Sequence, residues 1–259
     1  MASLLRGTAF ITGAASGIGQ KTALSFARNG MTRLALTDIN LEALEATRAL
    51  LRREYPNTEV LALPLNVRDA SEVRSGIAET VSRFGRLDVA VNNAGIAGAG
   101  QLTHEIDEEE FSKIVDVDLY GVWRCQKEEI KVMLNQEDLG MRRGRGAIIN
   151  VASIFGIVSP SVFMAQTAYS TAKHGNDANN YGRRGIRINA ICPGWIETPI
   201  SDRFPQEAGS PLSRYIESTP LQRLGQPEEI ADCIAFLASD MSSYMQGSGL
   251  VADGGFTAH

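Results

Sequence analysis

Short apolar runs rich in Val, Ile and Leu alternate along the chain with longer stretches whose apolar residues recur at helical spacing. This is the pattern of a parallel sheet with helices on both faces. Seven runs read as strands: Ala9 to Thr12, Leu34 to Thr37, Val60 to Leu63, Val89 to Val91, Ala147 to Val151, Ile186 to Ala190 and Gly249 to Val251. The helical stretches are Ile18 to Asn29, Leu41 to Glu54, Ser71 to Phe84, Glu108 to Leu134, a segment around Ala165 to Lys173, and Pro227 to Ala238. Asp107 is a good N-cap for the helix from Glu108, and Pro227 suits a first helical turn. Two stretches show neither period. Residues 135 to 146, polar and basic with three glycines, are expected as a surface insertion. Residues 193 to 226, rich in proline, are expected as an irregular lid over a site.

Composition narrows the function classes. With 259 residues, 44% hydrophobic and 21% charged, the chain can close one large core, so residues 1 to 259 are read as a single α/β domain. A net charge of -5, with Lys and Arg scattered, predicts no nucleic-acid footprint and a small-molecule partner. The cysteines Cys125, Cys192 and Cys233 lie far apart without metal-ligand spacing, which suits buried thiols in a reducing compartment. The histidines His104, His174 and His259 have no second ligand at metal spacing, so no metal site is expected. The first apolar run breaks at Gly13, too early for a signal peptide or a membrane span, and the cytoplasm is the expected location.

The first strand runs directly into Gly13-Ala14-Ala15-Ser16-Gly17-Ile18-Gly19 and a helix. Strand, glycine turn and helix in that order bring backbone N–H groups close to a dinucleotide pyrophosphate at a helix N-terminus. Asp38 ends the second strand, where a carboxylate accepts hydrogen bonds from adenosine ribose hydroxyls and repels a 2′-phosphate. With no Arg or Lys in the glycine turn, NAD is expected rather than NADP. The alternative for Asp38 is a helix cap.

Tyr169 and Lys173 are four residues apart on one predicted helix, so they share a face. At roughly 4 Å and an effective dielectric of about 20, an ammonium stabilises a phenolate by about 4 kcal/mol, or about three pKa units. A phenol titrating near 10 would then approach about 7 and trade a proton with an alcohol or carbonyl oxygen. Ser153, just beyond the strand ending at Val151, stands at the C-terminal edge of the sheet, where its hydroxyl can hold the same oxygen.

With the Gly13 turn, Asn92-Asn93-Ala94-Gly95, Ser153, Tyr169-x-x-x-Lys173, Pro193-Gly194 and a closing Asp253-Gly254-Gly255 in order, the chain resembles the classical short-chain dehydrogenases/reductases over nearly its whole length. The resemblance implies a single-domain Rossmann fold with a seven-stranded parallel sheet ordered 3-2-1-4-5-6-7. It also implies Tyr169 as catalytic acid/base, Lys173 lowering its pKa and holding the nicotinamide ribose, and Ser153 orienting the substrate oxygen. By the same resemblance Ile18, Asp38, Asn93, Ile196 and Thr198 contact the cofactor, with Asn66 and Val67 near the adenine. Asn66 replaces the usual Asp, a mild change because an amide still donates and accepts.

Two departures matter. Asp118 stands where the family carries an Asn that takes part in a proton relay to the lysine, so it joins Ser153, Tyr169 and Lys173 as the fourth candidate of the catalytic group. A carboxylate there would compete for the Lys173 ammonium and shift the pH optimum upward. Second, sixteen positions separate Lys173 from Asn189, about six fewer than usual, which removes roughly 9 Å of helix. The remaining His174-Gly175-Asn176-Asp177-Ala178-Asn179-Asn180-Tyr181-Gly182 lacks apolar periodicity. In the family this helix and the preceding long one, here with Phe111, Val115, Val122, Trp123 and Ile130, build a dimer face, so the homo-oligomer implied by the resemblance is expected to be weakened; ordinary core is the other reading of those residues. The function implied is oxidoreduction of a secondary alcohol or ketone, and the few charges expected to face the cleft suggest a moderately apolar one, such as a steroid, polyketide or terpenoid intermediate. The alternative is an NAD-binding protein with little turnover. Met241, Tyr244 and Met245 are read either as pocket lining or as packing under the sheet.

Overall fold

The computed structural model describes residues 3–98, 103–158, 167–173, 181–205 and 207–258. Seven strands, β1 (Thr8–Thr12), β2 (Arg33–Asp38), β3 (Glu59–Pro64), β4 (Val89–Asn92), β5 (Gly146–Val151), β6 (Ile186–Pro193) and β7 (Gly249–Ala252), pair in parallel in the order β3-β2-β1-β4-β5-β6-β7. The central strands β1, β4 and β5 are buried along their whole length, which is why they read as continuous apolar runs.

The eight helices described are α1 (Gly17–Arg28), α2 (Leu41–Glu54), α3 (Ala70–Phe84), α4 (Glu108–Val115), α5 (Val122–Asn135), α6 (Thr167–Ala172), α7 (Pro211–Ser218) and α8 (Pro227–Ala238). Alternation along β1 serves two cores. Ala9 and Ile11 pack with Phe26, Leu44, Ile230 and Ile234 of α1, α2 and α8, whereas Phe10 packs with Val73, Ile77, Ile130 and Met133 of α3 and α5. Helix starts follow their caps: Asn40 accepts from Ala43 N at 3.1 Å, Asp69 accepts from Ser71 N at 2.7 Å, and Asp107 accepts from Glu110 N at 2.7 Å. Pro227 lies in the first turn of α8.

The structure departs from the sequence expectations in three places. The stretch from Glu108 is interrupted: a π-helical turn, Asp116–Gly121, separates α4 from α5. Its extra residue per turn shifts the helical phase and turns Asp118 inward. Residues 193 to 226 are not irregular throughout, since α7 forms there, with Ser210 accepting from Ser213 N at 3.1 Å and a proline in its first turn. Met241 and Tyr244 are exposed and line no part of the site cleft, while Met245 packs against the α1/α8 core. The expectation about the shortened crossover falls mainly on residues 174–180, which lie outside the described residues. The chain is described again from Tyr181, where a 3-10 turn, Gly182–Arg184, leads into β6. No helix among the described residues is long and apolar enough to cross a membrane.

Candidate active site

Every residue expected at the site except Gly19 lines one cleft of ≈ 450 Å³ at the C-terminal ends of the strands. At one end, β1 passes into the glycine turn. Gly13 adopts φ +66, and a Cβ there would stand 2.7 Å from Asn93 Nδ2, so only glycine fits both the backbone and the space. Gly19 does not face the cleft because it serves packing instead. Its missing Cβ makes room for the Gly13 carbonyl oxygen, which lets α1 start directly against the turn. Asn93 Nδ2 donates to the Thr12 and Gly13 carbonyls, both at 3.0 Å, and Thr12 Oγ1 accepts from Asn93 N and Ala94 N, both at 3.0 Å. The loop after β4 therefore braces the turn.

The N-terminus of α1 opens on the cleft without a side-chain cap, because Ser16 makes no capping hydrogen bond. Its unpaired N–H groups and dipole favour an anion there. Asp38 Oδ2 accepts from Ala15 N at 3.1 Å and Oδ1 from Asn40 N at 2.9 Å, which ties the carboxylate to the glycine turn. The cap of α2 is Asn40, so Asp38 is not the helix cap. Asn66, Val67 and Arg68 continue this end of the cleft, and Arg68 is paired with Asp116 at 2.8 Å. Ile18, Ile196 and Thr198 also line it.

At the other end the chemical residues meet. Ser153 caps a 3-10 turn after β5 and accepts from Phe155 N at 3.2 Å, while its hydroxyl and the Tyr169 phenol share a hydrogen bond. The Lys173 amide donates to the Tyr169 carbonyl at 3.0 Å, so the two residues sit one helical turn apart. Lys173 Nζ stands 5.4 Å from the Tyr169 ring centroid and donates to the Val151 carbonyl at 3.1 Å. A Cβ on Gly156 would overlap the Lys173 carbonyl, so this glycine lets the serine turn lie against the end of α6.

Asp118 reaches the same place from the π-turn. Its Oδ1 accepts from Ile96 N at 2.9 Å, and its Oδ2 stands 3.3 Å from Lys173 Nζ, an ion-pair contact whose angle falls short of a hydrogen bond. Lys173 is 8% exposed and Asp118 2%. Burial drives the Asp118 carboxyl above its ordinary range, against the pull of Lys173 and the Ile96 amide. Burial works against the Lys173 ammonium, yet Asp118 and Tyr169 outweigh it and hold the group above its ordinary value. The expected fall of the Tyr169 phenol toward 7 is corrected here. Burial first, and then the Asp118 charge, raise it above 10, while Lys173 and Ser153 act in the opposite sense without prevailing.

Sequence reasoning missed the far wall. Phe155, Trp195 and Phe204 line the cleft beyond Ser153, with Trp195 edge-on to Phe155 at 6.5 Å and to Phe204 at 4.9 Å between ring centroids. The position of Trp195 directly after Pro193-Gly194, at the end of a strand, was the available signal. Behind the site, Asn92 Nδ2 donates to Asn150 Oδ1 at 3.0 Å and to Glu129 Oε2 at 3.1 Å, and Asn150 Nδ2 donates to Gln126 Oε1 at 2.9 Å. Nothing in the periodicity of α5 announced a buried carboxylate on its core face.

Comparison with known proteins agrees with this geometry. The family described as enoyl-(acyl carrier protein) reductase matches residues 13–257. Levodione reductase of Leifsonia aquatica is 38% identical, with 96% of this chain and 93% of that protein covered. Cyclohexanol dehydrogenase of Acinetobacter sp. is 36% identical over 96% of this chain and 94% of its own length. The crystal structure of levodione reductase superposes with a TM-score of 0.88 at 36% identity, covering 97% of this chain and 98% of that one. Fold, motif order and relatives together place the chain in the classical short-chain dehydrogenase/reductase family.

Proposed function

We propose that this protein is an NAD-dependent oxidoreductase that interconverts a secondary alcohol and a ketone, with Tyr169 as acid/base. The observation that carries the reading is convergence: Ser153, Tyr169 and Lys173 meet at one end of a cleft whose other end is the glycine turn. An uncapped helix start, a glycine turn braced by Asn93 and a carboxylate at the end of β2 fit a dinucleotide without a 2′-phosphate. Exposed Ile39 beside Asp38 offers such a phosphate no positive partner, and Arg68 is already paired with Asp116.

When bound, the nicotinamide gives or takes the hydride. The chain supplies the proton and the orientation. A carbonyl oxygen entering beside Ser153 and Tyr169 accepts hydrogen bonds from both hydroxyls, and Tyr169 passes its proton to that oxygen during reduction and recovers it during oxidation. Lys173, anchored on the Val151 carbonyl, holds its charge beside the phenol and presents N–H donors to a ribose. The wall of Phe155, Trp195 and Phe204 supports a moderately apolar, compact substrate. Segment 193–226 acts as the lid, through Trp195 to Phe204, and assembly uses the face where α5 exposes Trp123 and the π-turn before it exposes Tyr120, in a homo-oligomer weakened by the short crossover. The free thiols suit a cytoplasmic enzyme.

Purified protein should be stabilised against heat by NAD more than by NADP and should turn over members of a cyclic alcohol and ketone panel. Tyr169→Phe should keep the NAD stabilisation and lose about 10²- to 10⁴-fold in turnover. Undiminished turnover in that variant would remove Tyr169 from the mechanism. NAD stabilisation with no turnover of any panel compound would favour the binding-protein alternative, which the named reductases and dehydrogenases among the relatives do not support.

A further inference from the structure

We propose that Asp118 keeps the resting site loaded with a proton: its carboxylate cancels the Lys173 ammonium, so at neutral pH Tyr169 serves first as a proton donor to a ketone, and alcohol oxidation requires alkaline conditions. This rests on the assignment of Tyr169 as acid/base. What matters is the count of charges in a closed space. Lys173 Nζ and Asp118 Oδ2 are 3.3 Å apart, and both residues are almost sealed from solvent. With carboxylate, ammonium and neutral phenol, the group of three has no net charge. Removing the phenolic proton leaves one uncompensated negative charge among buried side chains. An amide at position 118 would reverse the balance, because a phenolate would then neutralise the lone ammonium.

The geometry ties Asp118 to this role. The π-turn delivers its side chain inward, Ile96 N holds Oδ1 at 2.9 Å, and Gly95 leaves room where a Cβ would stand 3.3 Å from Asp118 Oδ2 and 3.4 Å from Lys173 Nζ. Asp118 itself touches no reacting atom and acts through Lys173, so it is a positioning residue.

The other charged groups facing the three are few among the described residues. The 3-10 turn after Ser153 carries none. The π-turn adds Asp116, which is engaged by Arg68 and Arg124, and exposed Tyr120. Helix α4, which packs on α6, carries Glu108, Glu109 and Glu110 in its first turn and Lys113, of which only Lys113 lines the cleft. Tyr169 senses Lys173 and Asp118 above all, and the upward displacement of the phenol by burial and Asp118 agrees with the count.

The test compares wild type with Asp118→Asn from pH 6 to pH 11, using cyclohexanol with NAD and cyclohexanone with NADH. Expected are an oxidation limb in wild type that rises tenfold per pH unit to an alkaline plateau, and a limb shifted downward by at least about one unit in Asp118→Asn, making oxidation at neutral pH at least about tenfold faster. Coincident profiles, or a shift upward, would overturn the proposal. A second measurement needs neither turnover nor the Asp118 variant: the 295 nm absorbance titration of wild type minus Tyr169→Phe. A midpoint above 10 supports a proton-loaded phenol, and one below 10 refutes it. If no substrate reacts while this titration behaves as expected, the hydride-transfer reading fails and the charge assignment stands. Turnover with coincident profiles has the opposite meaning.

Discussion

Glu129 gives the most quantitative expectation. It is 0% exposed, on the core face of α5, with Oε2 accepting one amide hydrogen from Asn92 and Oε1 without a hydrogen-bond partner. Burial pushes its carboxyl up to about 8 from an ordinary 4.5, against the Asn92 hydrogen bond, which favours the ionised form. The sign follows from linkage. Between these values the folded state binds more protons than the unfolded chain, so stability is fullest below about pH 4.5 and drains as pH rises toward about 8. At about 1.4 kcal/mol per pKa unit, the loss is about 3 kcal/mol by about pH 7 and about 5 kcal/mol above about pH 8. Glu129→Gln retains an acceptor for Asn92 and has no charge to bury. Denaturant unfolding at fixed protein concentration, from pH 5 to pH 9, should show wild type weakening relative to Glu129→Gln by about this amount. Parallel stability curves for the two proteins would refute the reasoning, because every other titrating group is shared.

Two further outcomes follow from the cofactor end. Gly19→Ala places a methyl group on the Gly13 carbonyl; we expect a loss of about 3 kcal/mol and no NAD-induced thermal shift, and an unchanged melting curve with NAD would show that the turn yields. Asp38→Ala should weaken NAD by about tenfold, the worth of a charge-assisted hydrogen bond, and narrow the gap to NADP in a titration. An unaltered ratio of the two affinities would remove Asp38 from cofactor selection.

The strands were readable because each central one is buried on both faces, so its composition alone marks it out, as in Ala147 to Val151. The convergence of Gly13, Asp38, Ser153, Tyr169 and Lys173 on one cleft was readable because it follows from short spacings and from strand ends, which sequence displays directly. The π-turn was not, since one extra residue in a helical ladder leaves Phe111, Val115, Val122 and Ile130 looking like a single stripe. Helix α7 was hidden by the prolines around it, although Ser210-Pro211 is itself a cap followed by a first-turn proline. The Tyr169 phenol lies above 10 rather than near 7 because burial, which the spacing of Tyr169 and Lys173 does not display, adds to the opposing charge that the acid at position 118 already announced.

The wide turn between α4 and α5 has a consequence for how such a protein can change. It lets one uninterrupted stretch of chain answer to two neighbours, with the upstream half lying on α6 at the mouth of the cleft and the downstream half on α3 and the sheet. A phase slip between them means that substitutions around Lys113 can reshape what the enzyme admits without re-registering Cys125, Ile130 and Met133 in the interior. Diversification of ligand choice is thereby uncoupled from maintenance of the scaffold within a single helical run.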